Sequence, residues 1–142
     1  MADTRGLKVN RDIYNFETRI YGVYDNLPVK HKHTLSELML KSVLEMRHYT
    51  NLACKMYKGN LRQKVELFGL ALGYADDAQD SLDHLYDLGF MSEKLKSSLD
   101  MELDAIKVSL SRLVNSFSRE LKGAEHREYA TCGDSEFHQE ER

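Results

Sequence analysis

The sequence predicts an all-α protein, an antiparallel up-down-up-down four-helix bundle. Its 142 residues contain a single proline, and segments with the period of a strand are almost absent. Apolar residues instead recur at alternating spacings of three and four, which places them along one side of a helix. Short loops separate four such segments, as expected for antiparallel neighbours in one bundle. At this length the chain forms one domain.

The first helix is predicted between about Val9 and Asn26. Its apolar side chains form one continuous seam: Val9, Ile13, Phe16, Ile20, Val23 and Leu27. Pro28 ends this helix, because the residue before a proline is disfavoured in the α region.

The second helix is predicted to open at Thr34 and to continue to about Lys58. Thr34 and Glu37 have the spacing of a capping box, in which each side chain accepts a hydrogen bond from an orphan amide. Gly59 and Asn60 supply the stop. Its apolar face is broad, which indicates neighbours on two sides: Leu35, Leu38, Met39, Val43, Met46, Tyr49, Ala53 and Met56.

The third helix is predicted from Leu61 to Leu88, where Gly89 ends it. Its seam consists of Leu61, Val65, Phe68, Leu72, Ala75, Ala78, Leu82 and Leu85.

The fourth helix is predicted to begin after Ser92 as N-cap and to end near Leu121. Its seam consists of Leu95, Leu99, Leu103, Ile106, Leu110, Leu113, Phe117 and Leu121. The period stops at Gly123. The sequence therefore predicts an N-terminal extension over 1–8, a bundle over 9–122 and a polar, disordered tail over 123–142.

Charge is unevenly divided along the chain. Residues 1–64 hold twelve Lys and Arg against six Asp and Glu, whereas residues 65–142 hold eight against seventeen. The net charge of −3 conceals this split. A basic half favours a polyanionic partner, and an acidic half offers a second explanation, namely contacts between subunits.

The basic residues concentrate on the second helix and its two flanks. Lys41, His48 and Lys55 recur every seven residues on one helical edge. We predict that nucleic acid or a polymerase contacts the following residues: Lys30, His31, Lys32, Lys41, Arg47, Lys55, Lys58, Arg62, Lys64 and Arg112. Lysine and arginine would neutralise phosphates, so binding would weaken with salt.

The third helix carries the complementary features. Asp76, Asp80, Asp83 and Asp87 share one face, where like charges repel unless something positive covers them. A solvated face explains them equally well. Gly69 and Gly73 lie four residues apart inside the same helix, where each costs about 1 kcal/mol relative to alanine. Close approach by another helix would explain that cost, and we predict these six residues at a subunit interface.

A catalytic role is disfavoured. Glu45 and His48 form one Glu-x-x-His pair, but a di-iron bundle needs a second copy and two further glutamates. A metal-dependent enzyme is therefore only the third hypothesis, after a protein that binds nucleic acid or a polymerase and a purely structural bundle. We predict no catalytic residue, no metal, no cofactor and no small-molecule substrate.

No segment approaches the ~20 apolar residues of a membrane-spanning helix, so no membrane association is expected. The N-terminus lacks the apolar region of a signal peptide. Cys54 and Cys132 lie far apart, as expected for free thiols. These features predict a cytoplasmic protein.

Two stretches resemble the accessory variability determinant (Avd) proteins of diversity-generating retroelements. Residues 28–31, Pro-Val-Lys-His, precede a capped helix that contains Leu-Met-Leu-Lys at 38–41. Residues 111–117, Ser-Arg-Leu-Val-Asn-Ser-Phe, are similar to a Gly-Arg-Ile-Leu-Gly-Ser-Trp-like stretch of that family. Residues 68–73 and 88–93 resemble the related bundle proteins encoded in intervening sequences of ribosomal-RNA genes.

The resemblance implies a four-helix bundle that assembles as a cyclic homo-oligomer, a pentamer in both families. It also implies binding to a reverse transcriptase and its template RNA, in support of mutagenic reverse transcription. The alternative is a structural or protein-binding oligomer without a nucleic-acid role, in which the charges serve assembly alone.

Overall fold

Four helices make up the fold in the computed structural model, which describes residues 5–29, 34–57 and 59–140, without the side chains of 35 and 128–140. Helix α1 spans Leu7–Asp25, α2 Leu35–Lys55, α3 Leu61–Asp87 and α4 Glu93–Glu140. No strand occurs among these residues.

The helices pack antiparallel around one core, in the order α1, α2, α3, α4. Each helix packs against its sequence neighbours, and α1 also packs against α4. The predicted all-α four-helix architecture is therefore confirmed. None of the helices, over the ranges just given, has the length and hydropathy needed to cross a membrane.

The predicted seams supply the core. All six residues of the first predicted seam are buried, five of them in α1 and Leu27 just beyond it. Phe68, Leu82 and Leu85 of α3 and Leu99 and Phe117 of α4 are buried as well. The broad apolar face of α2 is only partly correct. Met39, Val43 and Met46 are fully buried, whereas Leu38 is 58% exposed. Ser36 and Thr50 lie on the same buried seam as these three residues, at spacings of three and four, and the Thr50 hydroxyl donates to the Met46 carbonyl at 2.8 Å.

Two of the four predicted caps are formed, and two are not. Gly59 and Asn60 do not end α2, because this helix already ends at Lys55 with Met56 as its C-cap. Gly89 has a φ of 82°, and the amides of Gly89 and Phe90 donate to the carbonyls of Tyr86 and Leu85, which closes α3 with a Schellman motif. The Leu95 amide donates to the Ser92 hydroxyl at the start of α4. Thr34 occupies the N-cap of α2, but its side chain makes no capping hydrogen bond.

The loss of apolar period at Gly123 predicted that the fourth helix ends near Leu121. This prediction is wrong, because α4 continues to Glu140. Gly123 lacks the positive φ of a C-terminal cap, and one glycine inside a helix costs only about 1 kcal/mol. An ion pair between Arg62 of α3 and Glu125 of α4 lies beyond the predicted end.

Gly6 determines how the chain enters α1. Its φ is 94°, a left-handed conformation that side chains rarely adopt. A Cβ placed there would lie 3.1 Å from the Cys54 sulfur and 3.2 Å from the Phe68 ring. The absence of a side chain therefore lets the start of α1 approach α2 and α3.

Candidate functional site

The bundle separates charge along its long axis. Antiparallel packing brings the first half of α1, the second half of α2, the first half of α3 and the middle of α4 to one end, where the Asn10 amide donates to Asn51 at 2.7 Å. We call this end the basic end; it comprises residues 5–15, 46–57, 59–73 and 108–127. The acidic end comprises residues 16–29, 34–45 and 74–107.

The basic end holds eleven Lys and Arg against four Asp and Glu. The acidic end holds five against thirteen. The split in space differs from the split along the sequence, because each half of the chain contributes to both ends. Arg112, Arg119, Lys122 and Arg127 of the acidic half, for example, lie at the basic end. A polyanion would be attracted to one end of the molecule and repelled by the other.

Three arginines of the basic end are already paired. Arg5 donates to Glu120 at 2.8 Å, Arg47 to Glu17 at 2.8 Å, and Arg62 to Glu125. Their partners reduce the charge that they offer to a ligand.

Lys64 does not belong to the predicted contact surface. Its side chain is 1% exposed, and its ammonium lies 5.1 Å from the centre of the Phe117 ring. Lys64 follows the buried side of α3 together with Phe68, and its position within the helix places it in the core. No ligand on the surface reaches it.

Five other cations of the basic end are exposed and make no ion pair with any residue that the structure describes. They are Arg11, Lys55, Arg112, Arg119 and Lys122. At the acidic end Lys41 and Lys94 are in the same state. Lys30, His31, Lys32 and Lys58, predicted as contacts, lie outside the described residues.

A groove of about 380 Å³ opens between α1 and α2 at the basic end. Its α1 wall has the helical spacing Leu7, Asn10, Arg11 and Tyr14. Its α2 wall consists of Arg47 and Asn51, one turn apart. Tyr14 and Leu7 are 56% and 53% exposed, so the groove presents apolar surface to solvent beside Arg11.

An ion pair between half-buried Arg47 and buried Glu17 supports the wall of this groove. The Arg47 Nη1 atom donates to both carboxylate oxygens of Glu17, at 2.8 and 3.2 Å, and Glu17 is 3% exposed. The Arg47 guanidinium also lies 5.4 Å from the centre of the Tyr14 ring. Arg47 therefore acts as a support for Tyr14 as well as a surface charge, which the sequence alone did not indicate.

Arg11 and Tyr14 were not among the predicted contacts. Their only sequence signal is their position opposite the seam of α1, which any exposed residue shares. Their neighbours Arg47 and Asn51 lie more than thirty positions away, so folding alone brings these four together.

A second groove, of about 360 Å³, follows the outer face of α3. It is lined by Gly69, Leu70, Gly73, Tyr74 and Asp77. A Cβ added at either glycine would meet nothing within 4 Å. The predicted close approach of another helix to these glycines therefore does not occur within the described chain, and the groove is open to solvent.

The acidic stripe of α3 is half covered by α4. Asp76 pairs with Lys107 at 3.3 Å and Asp83 with Lys96 at 2.7 Å. The hydrogen bond from Lys96 holds the pKa of Asp83 below its usual value. Partial burial opposes the charge on Lys96, but hydrogen bonds to Asp100 and Asp83 outweigh it and raise the pKa of Lys96. Asp80 and Asp87 have no ion pair with the described residues.

Potential metal ligands do not gather in one place. Over the residues that the structure describes, no three of the His, Cys, Asp and Glu side chains lie close enough together to hold an ion. Glu45 and His48, the one pair with suitable spacing, belong to no such group.

Comparison with known proteins supports the fold and no more. No family model matches the chain, and no curated protein matches it. Among solved structures, the chain is similar to a protein of unknown function from the S23 ribosomal protein family of Bacteroides thetaiotaomicron, with a TM-score of 0.70 and 17% sequence identity. The similarity covers 79% of this chain and 96% of the other.

Proposed function

We propose that this chain is a non-enzymatic accessory protein of a diversity-generating retroelement, which binds the reverse transcriptase and its template RNA through the basic end. The observation that carries the proposal is the gathering, at one end of a bundle whose other end is acidic, of five exposed cations that make no ion pair with the described residues. The Avd-like stretches at 28–31, 38–41 and 111–117 give the partner class. Arg112, within the third of these stretches, is itself one of the five cations.

Phosphate neutralisation explains why unpaired cations matter. A cation already held by a carboxylate gains little from a phosphate, whereas a free one releases counterions when it binds. The paired Arg62 and the buried Lys64 consequently contribute less than Arg11, Lys55 and Arg112.

The test is binding of template RNA and of the reverse transcriptase across a salt series. Reversal of charge in Lys55→Glu, Arg112→Glu or both should weaken binding and flatten its salt dependence by about one unit of slope per lost phosphate contact. Lys94→Glu is the matched control, because Lys94 is an equally unpaired cation at the acidic end. Lys41→Glu asks whether the contact extends along α2. Equal loss in Lys94→Glu and Lys55→Glu would contradict the proposal.

The open groove on α3 favours a second candidate, a structural homo-oligomer. Gly69 and Gly73 leave room for a helix, and Asp80 and Asp87, which make no ion pair with the described residues, would face Lys41 of another copy. Such a contact joins unlike surfaces and closes into a ring, a pentamer by the resemblance. The two candidates coexist if a subunit binds the α3 groove and the cations proposed to bind RNA stay free.

Native mass spectrometry of Gly73→Leu tests the oligomer. If a neighbour's helix fills the groove, this variant should dissociate while it stays folded. Gly22→Leu on α1 is the matched control, since Gly22 is also an exposed helical glycine with open space around it. A wild-type mass of one subunit would overturn this candidate.

A further inference from the structure

The groove between α1 and α2 has features beyond those that attract any polyanion. It combines an exposed aromatic ring, two side-chain amides and an unpaired cation within one space of about 380 Å³. We propose that this groove binds single-stranded RNA, with one unpaired base stacked on Tyr14. The inference rests on the proposed function and narrows it from RNA in general to an unpaired segment at a named site.

The ring of Tyr14 is presented for stacking. More than half of its side chain is exposed although it is a large apolar group, and the Arg47 guanidinium lies 5.4 Å from its centre. Arg47 is itself fixed by two hydrogen bonds to the buried Glu17. Because the Arg47 guanidinium already restrains the Tyr14 ring, the ring loses little conformational freedom when a base stacks on it. Stacking of this kind accepts any base, since every base has a π face.

The remaining groups fit the rest of a nucleotide. Asn10 and Asn51 are joined by one hydrogen bond of 2.7 Å, which leaves further donors and acceptors for the edge of a base. Arg11 lies one turn from Tyr14 and makes no ion pair with the described residues. Lys55 lies one turn beyond Asn51 on α2. These two cations flank the groove and suit the phosphates on either side of the stacked base.

A duplex fits the groove poorly. Bases in a duplex are covered by their neighbours, so they cannot stack on Tyr14 without being unpaired. Electrostatic attraction alone would not distinguish the two forms. Preference for the single strand is therefore the property that separates this site from a general basic surface.

The chain contains no tryptophan, which permits a direct test. Tyr14→Trp introduces one indole into the groove, and a base stacked on it should quench its fluorescence. Tyr21→Trp is the matched control, because Tyr21 is 42% exposed on the same helix but lies outside the groove. With unstructured oligouridine as probe, we expect saturable quenching in Tyr14→Trp and none in Tyr21→Trp.

Binding constants provide the second measurement. Tyr14→Ala should weaken binding of labelled oligouridine roughly 5- to 100-fold, whereas Tyr14→Phe keeps the ring and should bind like the wild type. Arg11→Ala should reduce the slope of the binding constant against salt concentration, on a logarithmic scale, by about the amount expected for one phosphate contact. Since Tyr14 is largely exposed, thermal unfolding of Tyr14→Phe and Tyr14→Ala should show that both fold.

The outcomes separate the two proposals. Quenching confined to Tyr14→Trp, together with weak binding of an RNA duplex, supports the groove. If oligouridine binds Tyr14→Trp without quenching, or binds Tyr14→Ala as tightly as the wild type, the proposal of a base stacked in the groove is wrong. RNA binding by the basic end would then still stand. If neither single-stranded nor duplex RNA binds the wild-type protein, the groove and the RNA-binding part of the proposed function both fail.

Discussion

Arg47 donates from one nitrogen to both carboxylate oxygens of Glu17, at 2.8 and 3.2 Å, although Glu17 is only 3% exposed. The pair joins α2 to α1 across thirty positions of sequence. Burial of a carboxylate costs free energy unless a cation and hydrogen bonds compensate for the lost water. The wall of the groove between α1 and α2 therefore depends on one ion pair.

Removal of Arg47 should be more harmful than removal of both partners. Arg47→Met leaves the Glu17 carboxylate buried without a cation and should lower the free energy of unfolding by roughly 2–4 kcal/mol. The double variant Glu17→Met with Arg47→Met replaces the pair by apolar groups and should recover much of that loss. Urea unfolding of the wild type, both single variants and the double variant measures the coupling. Simple additivity would show that the pair contributes nothing.

The ion pairs of Lys96 predict a characteristic dependence on pH. Lys96 binds Asp83 at 2.7 Å and Asp100 at 2.5 Å and is 12% exposed, so Lys96→Met should cost about 1–2 kcal/mol at neutral pH. Because the pKa of Asp83 is lowered on folding, its contribution is complete above the unfolded value of 3.8 and is lost as the pH falls through the lowered value. Because the pKa of Lys96 is raised, its contribution is complete below the unfolded value of 10.5 and is lost as the pH rises through the raised value.

The difference in stability between the wild type and Lys96→Met should therefore be largest between these two pH values and should shrink on both sides. Chemical unfolding at a series of pH values measures it. Lys94→Met removes an unpaired lysine two positions away and should change stability little at any pH. A difference that does not vary with pH would contradict the assigned ion pairs.

Gly6 and Gly22 should respond in opposite directions to the same change. Gly6→Ala forces a side chain into a left-handed backbone and against Cys54 and Phe68, and should lower the free energy of unfolding by about 1–3 kcal/mol. Gly22→Ala fills open space on an exposed helix and should raise it by about 0.5–1 kcal/mol. Thermal unfolding of the two variants distinguishes them. A stabilised Gly6→Ala would show that the entry to α1 tolerates a different backbone.

Phe117 anchors the basic end from inside. Its ring stacks on Phe68 with centres 5.7 Å apart, and the Arg5 guanidinium lies 4.1 Å from its centre. Phe117→Ala should cost about 3–5 kcal/mol through lost burial and a cavity. Phe117→Leu keeps most of the volume and should cost only about 1–2 kcal/mol, the value of the ring contacts. Equal losses in the two variants would show that ring geometry dominates over volume.

The sequence by itself determined the four helices, their order and most of the core. Alternating spacings of three and four are a property of one helix face, so they can be recognised without knowledge of the neighbours. The six residues of the first seam are buried as predicted, and Gly89 ends α3 as predicted because left-handed glycine caps are a local feature.

Only the tertiary structure decided which charged residues are available to a partner. Lys64 and Lys55 look alike in sequence, yet Lys64 is buried against Phe117, whereas Lys55 is exposed and makes no ion pair with the described residues. Antiparallel packing brought the basic segments of all four helices to one end, so charge is separated along the bundle axis although each half of the chain contributes to both ends. It also placed Tyr14 beside Arg47. Such neighbours are set by packing between helices, and no spacing within one helix records them.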